Sequence, residues 1–149
     1  SRRLGMSTLR TNALEGMDAK NSITIVAGAG NITTTNVQEG LAKFWIAHNG
    51  DSTPTATDSL NVGSITDVGQ GNYKYNFTNN FTTNEGYWTV GTSAASGDHN
   101  GTFVKVNMPM SQGDILTSSV ETSITFSSSS STGDFDYPYV NMAGLGDLA

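Results

Sequence analysis

The sequence predicts an all-β fold: an antiparallel β-sandwich, or a jelly-roll-like relative of it, carrying an extended N-terminal arm. Three observations predict it. Short runs of β-branched and aromatic residues recur at a spacing of roughly 8–12 residues, with Gly, Asn, Asp and Ser clusters between them, which is the cadence of stacked antiparallel sheets. Within the runs, apolar and polar residues alternate with period two, as where Tyr73, Tyr75 and Phe77 interleave with Asn72, Lys74 and Asn76. Charged residues make up only 13% of the chain, so the strong helix formers Leu, Glu, Lys and Arg are scarce while turn formers abound.

Residues 1–41 read as an extended arm and assembly segment, and residues 1–21 show no sustained apolar period. Met6 can serve as the natural start, which would leave residues 1–5 as an upstream extension. Inside the arm, Ile23-Thr24-Ile25-Val26-Ala27 is a β-prone run closed by Gly28-Ala29-Gly30. That Gly-x-Gly lacks the rest of a dinucleotide motif and reads as a turn. Residues 36–41 fit either one helical turn capped by Asn36 or a continuation of the arm. Ile23, Ile25 and Val26 have few local partners, and a two-stranded element alone is marginal in water. These three either dock onto the body or pack against copies of themselves, and are the candidate assembly residues.

The body, residues 42–149, opens with a strand at 42–48 that puts Phe44 and Ile46 on one face and Lys43, Trp45 and Ala47 on the other. Asn49-Gly50-Asp51 signals a turn and residues 52–55 a loop. Residues 60–77 then read as a β-hairpin around which the body is built. Leu60 and Val62 share a parity that Ile65 breaks, so a bulge is expected at Gly63-Ser64. Residues 67–72 supply the Gly, Asp and Asn of the hairpin loop. Further strands are predicted at 87–90, 102–107, 120–126 and 137–142, with a polar loop at 93–101 and a low-complexity serine tip at 127–131. Pro109 marks an edge or a loop.

A body of about 110 residues buries roughly two-thirds of its surface, enough for an ordinary core. The formal net charge of −6 argues against a nucleic-acid partner, which needs clustered Lys and Arg. There is no cysteine, hence no disulfide and no thiol chemistry. No apolar run approaches the roughly 18 residues of a membrane span, and residues 9–20 lack a signal-peptide core. The expectation is a soluble protein that is not exported by an ordinary signal, with no membrane insertion.

No catalytic residues, metal ligands or cofactors are expected. His48 and His99 lie at strand or loop ends without a partner fixed by spacing, and no G-x-S-x-G elbow is present. Asp134 and Asp136 fall on one side of an extended segment, a pair that suits calcium, but without an EF-type loop they read as a solvated acidic turn. The Asn-x-Thr sequons at Asn31, Asn76 and Asn80 are of the kind expected by chance in an Asn/Thr-rich chain. The informative group is aromatic: Trp45, Tyr87, Trp88, Tyr137 and Tyr139. Adjacent Tyr87 and Trp88 must point to opposite faces, so one is buried and one exposed. Tyr87, Trp88, His99 and Tyr137 are the candidate surface or receptor contacts.

Several stretches resemble a family of small phage virion proteins, tail-fibre-like or structural, of phages that infect aquatic bacteria. The likeness begins at Ser7-Thr8-Leu9-Arg10-Thr11-Asn12-Ala13-Leu14, where Ala13-Leu14 replaces the Thr-Ile that the family prefers. It continues through Ala42-Lys43-Phe44-Trp45 and Asn49-Gly50. Its most specific part is residues 58–67 followed by Tyr73-Lys74-Tyr75-Asn76-Phe77-Thr78, and it ends on Tyr139-Val140-Asn141-Met142-Ala143 with Gly146-Asp147. The resemblance implies a virion structural protein, a tail fibre or tail-associated component, acting as a homotrimer with other virion proteins as partners and no enzymatic activity. A capsid decoration or cement protein is the alternative place in the particle. A carbohydrate-binding module that recognises a host surface glycan is the alternative from another class.

Overall fold

The computed structural model describes residues 11–13, 24–27, 33–36, 41–94, 102–109, 111–128 and 132–149. The chain divides into two compact units, Ser1–Gln38 and Glu39–Ala149. In the first, the β-prone run becomes β1 (Thr24–Ala27), paired antiparallel with β2 (Thr33–Asn36); Ile25 lies opposite Thr35 and Val26 opposite Thr34. Ile23 lies outside the described residues.

The second unit is a β-sandwich of antiparallel strands. Its elements are β3 (Phe44–Asn49), β4 (Thr55–Leu60), β5 (Val62–Gly69), β6 (Asn72–Phe77), β7 (Tyr87–Ala94), β8 (Thr102–Met108), a 3-10 turn (Gln112–Asp114), β9 (Ser119–Ser128), β10 (Thr132–Asp134) and β11 (Tyr139–Gly146). One sheet runs β4-β3-β11-β7. In the other, β9 is central: β8 lies on one edge, while β6 and the short β10 share the opposite edge end to end, and β5 pairs with β6. Among the described residues there is no α-helix, as the low content of helix formers requires.

The bulge expected at Gly63 is present: the β5–β6 register slips between Val62 and Ser64. A second slip between Asp67 and Gly69 lets β5 run further than expected, so only Gln70 and Gly71 separate the two strands. Gly71 is needed twice over. Its φ is 70°, and a Cβ there would lie 2.6 Å from the Phe135 amide nitrogen.

The predicted hairpin is corrected at its start. Leu60 does not belong to the same strand as Val62; it ends β4 in the first sheet, and β5 begins the second. The corner between them is Asn61, which takes a left-handed φ of 59°, a conformation that Asn tolerates better than most residues. Its side chain holds the corner by accepting from the Asn79 backbone N–H at 2.7 Å and donating to the Asn79 carbonyl at 3.0 Å. Thr55, expected in the loop of residues 52–55, instead begins β4.

Between the sheets lies an aromatic core. Phe44, Ile46, Tyr87, Val140 and Met142 come from the first sheet, and Tyr73, Tyr75, Phe77, Val120 and Ile124 from the second; Phe81 and Tyr137 fill it from the connections. Phe81 stacks on Tyr87 with ring centres 4.0 Å apart, and Phe44 meets Phe77 at 4.8 Å. Such pairs add about 0.5–1.5 kcal/mol each beyond their buried area. Gly144 on β11 leaves room for the Phe44 ring, which would collide with any Cβ there.

Candidate functional site

The two outer faces of the sandwich differ in chemistry. On the second sheet the outward row Thr66–Lys74–Glu121 crosses β5, β6 and β9. Beside it, Asn76 donates to Ser64 Oγ and Thr66 Oγ1, each at 3.1 Å. That face is polar and bonded to itself.

The first sheet turns an apolar face outward. Register places Leu60, Trp45, Ala143 and Val90 in one row across all four strands, and Leu145 opposite Trp88 in the next. Trp88 is 60% exposed, Tyr139 61%, Val90 52% and Leu60 47%. The strands of this sheet contain no Lys or Arg at all. Lys43, just before β3, is 7% exposed and its ammonium donates to the Leu41 carbonyl at 2.8 Å. The charges at the rim are carboxylates: Asp58 on β4, and Glu85 and Asp147 beyond the other end. A depression of ≈ 240 Å³ beside Trp88 is lined by Gly86, Trp88, Leu145, Gly146 and Asp147. It is smaller than the roughly 300–1,000 Å³ of a small-molecule pocket and is sized for one side chain.

Of the expected surface contacts, the structure exposes Trp88 and withdraws two others. Tyr87, on the opposite parity, is 6% exposed and donates its hydroxyl to the Leu116 carbonyl at 2.8 Å; burial pushes its phenol up to about 12. Tyr137 lies in the core, where its carbonyl accepts from the Gly50 N–H. Both are packing residues: Tyr87 because its neighbour Trp88 takes the outward parity of β7, and Tyr137 because the connection before β11 turns it into the core. His99 lies outside the described residues. Of the assembly residues, Ile25 and Val26 lie on β1 and Ile23 lies outside the described residues. Trp45, Val90, Tyr139 and Leu145 complete the exposed face and were not singled out as contacts. The signal that finds them is apolar character on both parities of one strand, as in Phe44-Trp45-Ile46-Ala47 and Tyr139–Gly146.

The titratable groups inside the sandwich serve structure. His48 Nδ1 lies 3.2 Å from the Asn49 carbonyl and Nε2 3.0 Å from the Tyr75 hydroxyl. A carbonyl can only accept, so Nδ1 carries the proton and Tyr75 donates to Nε2. Burial lowers the His48 pKa below its ordinary value, against the smaller opposing effect of the Asn49 carbonyl. Asp136 Oδ1 accepts from the Tyr73 hydroxyl at 2.8 Å and from the Gly71 N–H at 2.7 Å. Burial first, and then Asp136, raise the Tyr73 phenol far above its usual range. Asp134 accepts from Thr125 at 2.8 Å and from Asn72 at 3.3 Å, and the Thr125 bond holds its carboxyl below the ordinary carboxylate value. The two carboxylates thus bind protein donors. Among the described residues, no three His, Cys, Asp or Glu side chains group as a metal ion would require. No helix among them is long and apolar enough to cross a membrane. Comparison with protein-family models, with curated proteins and with solved structures gives no match to this chain.

Proposed function

We propose that this chain is a structural subunit of a bacteriophage virion, a tail fibre or tail-associated component present in several copies and assembled through its N-terminal arm. One observation carries the reading: the apolar, aromatic outer face of the β4-β3-β11-β7 sheet, set against a polar outer face on the other sheet. A contiguous patch of this kind on a small body is a surface built to be covered by another molecule. The likeness of residues 42–88 and of the C-terminal stretch to small phage virion proteins supplies the setting. The test is direct. Particles purified from a phage that encodes this chain should contain it in stoichiometric amount by mass spectrometry, and antibody-decorated particles should show label at the tail. Label on the shell would instead make it a decoration protein, and absence from the particle would end the virion reading.

The exposed rings of Trp88 and Tyr139 favour one second reading, in which they stack on a host surface glycan. Under it, Trp88→Ala weakens adsorption to host cells with the fold intact.

A further inference from the structure

The outer face of the β4-β3-β11-β7 sheet narrows the chemistry of what covers it. Two adjacent rows hold its apolar side chains: Leu60, Trp45, Ala143 and Val90 in one, Leu145 and Trp88 in the next. These six side chains offer two indole N–H groups and no other hydrogen-bonding atom. The hydroxyls of a saccharide would stay unmatched over them, and a polar group desolvated without a partner is costly. A polypeptide with apolar side chains suits the rows better. Val90 lies two residues along β7 from Trp88, about 7 Å, and Leu60 lies three strands across from Val90, about 14 Å.

Charge narrows it further. Unit Glu39–Ala149 has Lys43, Lys74 and Lys105 as its only Lys or Arg, against 11 carboxylates, a formal −8. On this face the rim carries Asp58, Glu85 and Asp147, and Lys43 holds its ammonium to the Leu41 carbonyl at 2.8 Å. The body of a second copy brings charge of the same sign and is repelled, whereas a basic partner is attracted. The apolar and acidic properties meet in the ≈ 240 Å³ depression beside Trp88, where the indole, Leu145 and Asp147 line one space with Gly86 and Gly146. The main chain fixes Asp147 there, its carbonyl accepting from the Thr82 N–H at 2.9 Å and the Thr82 hydroxyl at 3.0 Å. A carboxylate has acceptor sites for more than one donor. A cationic side chain seated in the depression gains a cation–π contact with the indole and an opposite charge beside it, while its aliphatic stem lies on Leu145.

We infer that this depression receives a basic side chain from a polypeptide segment of another virion protein, whose apolar residues lie along the Val90–Ala143–Trp45–Leu60 row. Arginine suits it better than lysine, because a planar, weakly hydrated guanidinium stacks on aromatic faces. The inference rests on the proposed virion reading for the partner's place in the particle.

The test is fluorescence polarisation of a labelled hexapeptide, one arginine followed by alternating leucines and serines, titrated with the full chain. A twin peptide carries neutral citrulline in place of the arginine. The arginine peptide is expected to bind saturably, and more weakly at high salt. Citrulline, Trp88→Leu and Asp147→Asn are each expected to weaken binding roughly fivefold, while Glu121→Gln on the opposite sheet leaves it unchanged. Circular dichroism checks each fold, and Trp88→Phe replaces Trp88→Leu if that variant unfolds. Absence of saturable binding overturns the inference, as does equal binding of the citrulline peptide. A loss in Glu121→Gln equal to that in Asp147→Asn overturns it too, because net charge and not the depression then holds the peptide. A glucosamine oligomer that displaces the labelled peptide at lower concentration than the unlabelled peptide does assigns the face to a glycan instead. Self-association of the wild type that Trp88→Leu abolishes assigns it to a second copy. A chain found in particles that fails to bind the peptide defeats this inference alone. Binding that needs Trp88 and Asp147, in a chain absent from particles, supports the site and defeats the virion reading alone.

Discussion

Among the described residues, the hydroxyls of Ser93 and Thr122 are buried without a protein partner, and that of Thr122 lies in the core. Thr122 lies on β9 opposite Tyr73 and is 1% exposed. A hydroxyl desolvated without a partner costs about 1–3 kcal/mol, whereas a valine of nearly the same shape costs nothing of the kind. Thr122→Val is therefore expected to stabilise the body by about 1 kcal/mol, read as a higher urea midpoint with an unchanged slope. A lower midpoint would mean that a buried water bonds this hydroxyl. Alternation alone puts Thr122 on the inward face with Val120, Ile124 and Phe126, and only the folded sandwich shows that no protein group bonds its hydroxyl. Tyr87 was obscured because an aromatic beside another aromatic does not reveal which of the two turns inward, and Tyr137 because it belongs to the connection before β11 and not to a strand.

At the scale of elements, alternation made the strands legible and junctions did not. Phe44, Ile46, Tyr73, Tyr75 and Phe77 fall inward as their parity requires, and the bulge at Gly63 follows from the clash of parity between Val62 and Ile65. The corner at Asn61 did not show, because a left-handed Asn between two apolar residues looks like an ordinary strand position. Side chains that tie one element to another were equally silent. Asp136 read as part of an acidic turn, yet it fastens the β5–β6 hairpin to the segment before β11 through Tyr73 and the Gly71 amide. Hydrogen bonds to a charged acceptor contribute about 1.5–3 kcal/mol each. Asp136→Ala removes two and leaves the Tyr73 hydroxyl its bond to the Gly50 carbonyl at 3.0 Å. The expected loss is about 2–4 kcal/mol, measured by thermal or urea unfolding. A loss below about 0.5 kcal/mol, the level of an ordinary surface change, would show that Gly71 and Tyr73 find other acceptors.

For the molecule as a whole, acid should loosen the sandwich through one group. His48 sits on β3 in the first sheet and accepts from Tyr75 on β6 in the second, so its neutral form bridges the sheets. The groups that face it are the hydroxyls of Tyr75 and, ring to ring at 4.8 Å, Tyr73; the nearest carboxylate in this network, Asp136, already accepts from Tyr73. Because burial lowers the folded pKa below the ordinary value of about 6.5, the unfolded chain binds the proton first as pH falls. The stability tied to neutral His48 is therefore fully present above about pH 6.5 and is lost as pH falls from there towards the lower folded pKa. Asp134 acts in a separate window. Its depressed carboxyl stabilises the fold above the ordinary carboxylate pKa of about 3.9 and loses that contribution only in stronger acid. Melting temperatures recorded from pH 7.5 down to pH 5 should thus fall for the wild type and for His99→Gln, and stay nearly flat for His48→Gln. A His48→Gln variant that keeps the full slope would assign the acid response to another group.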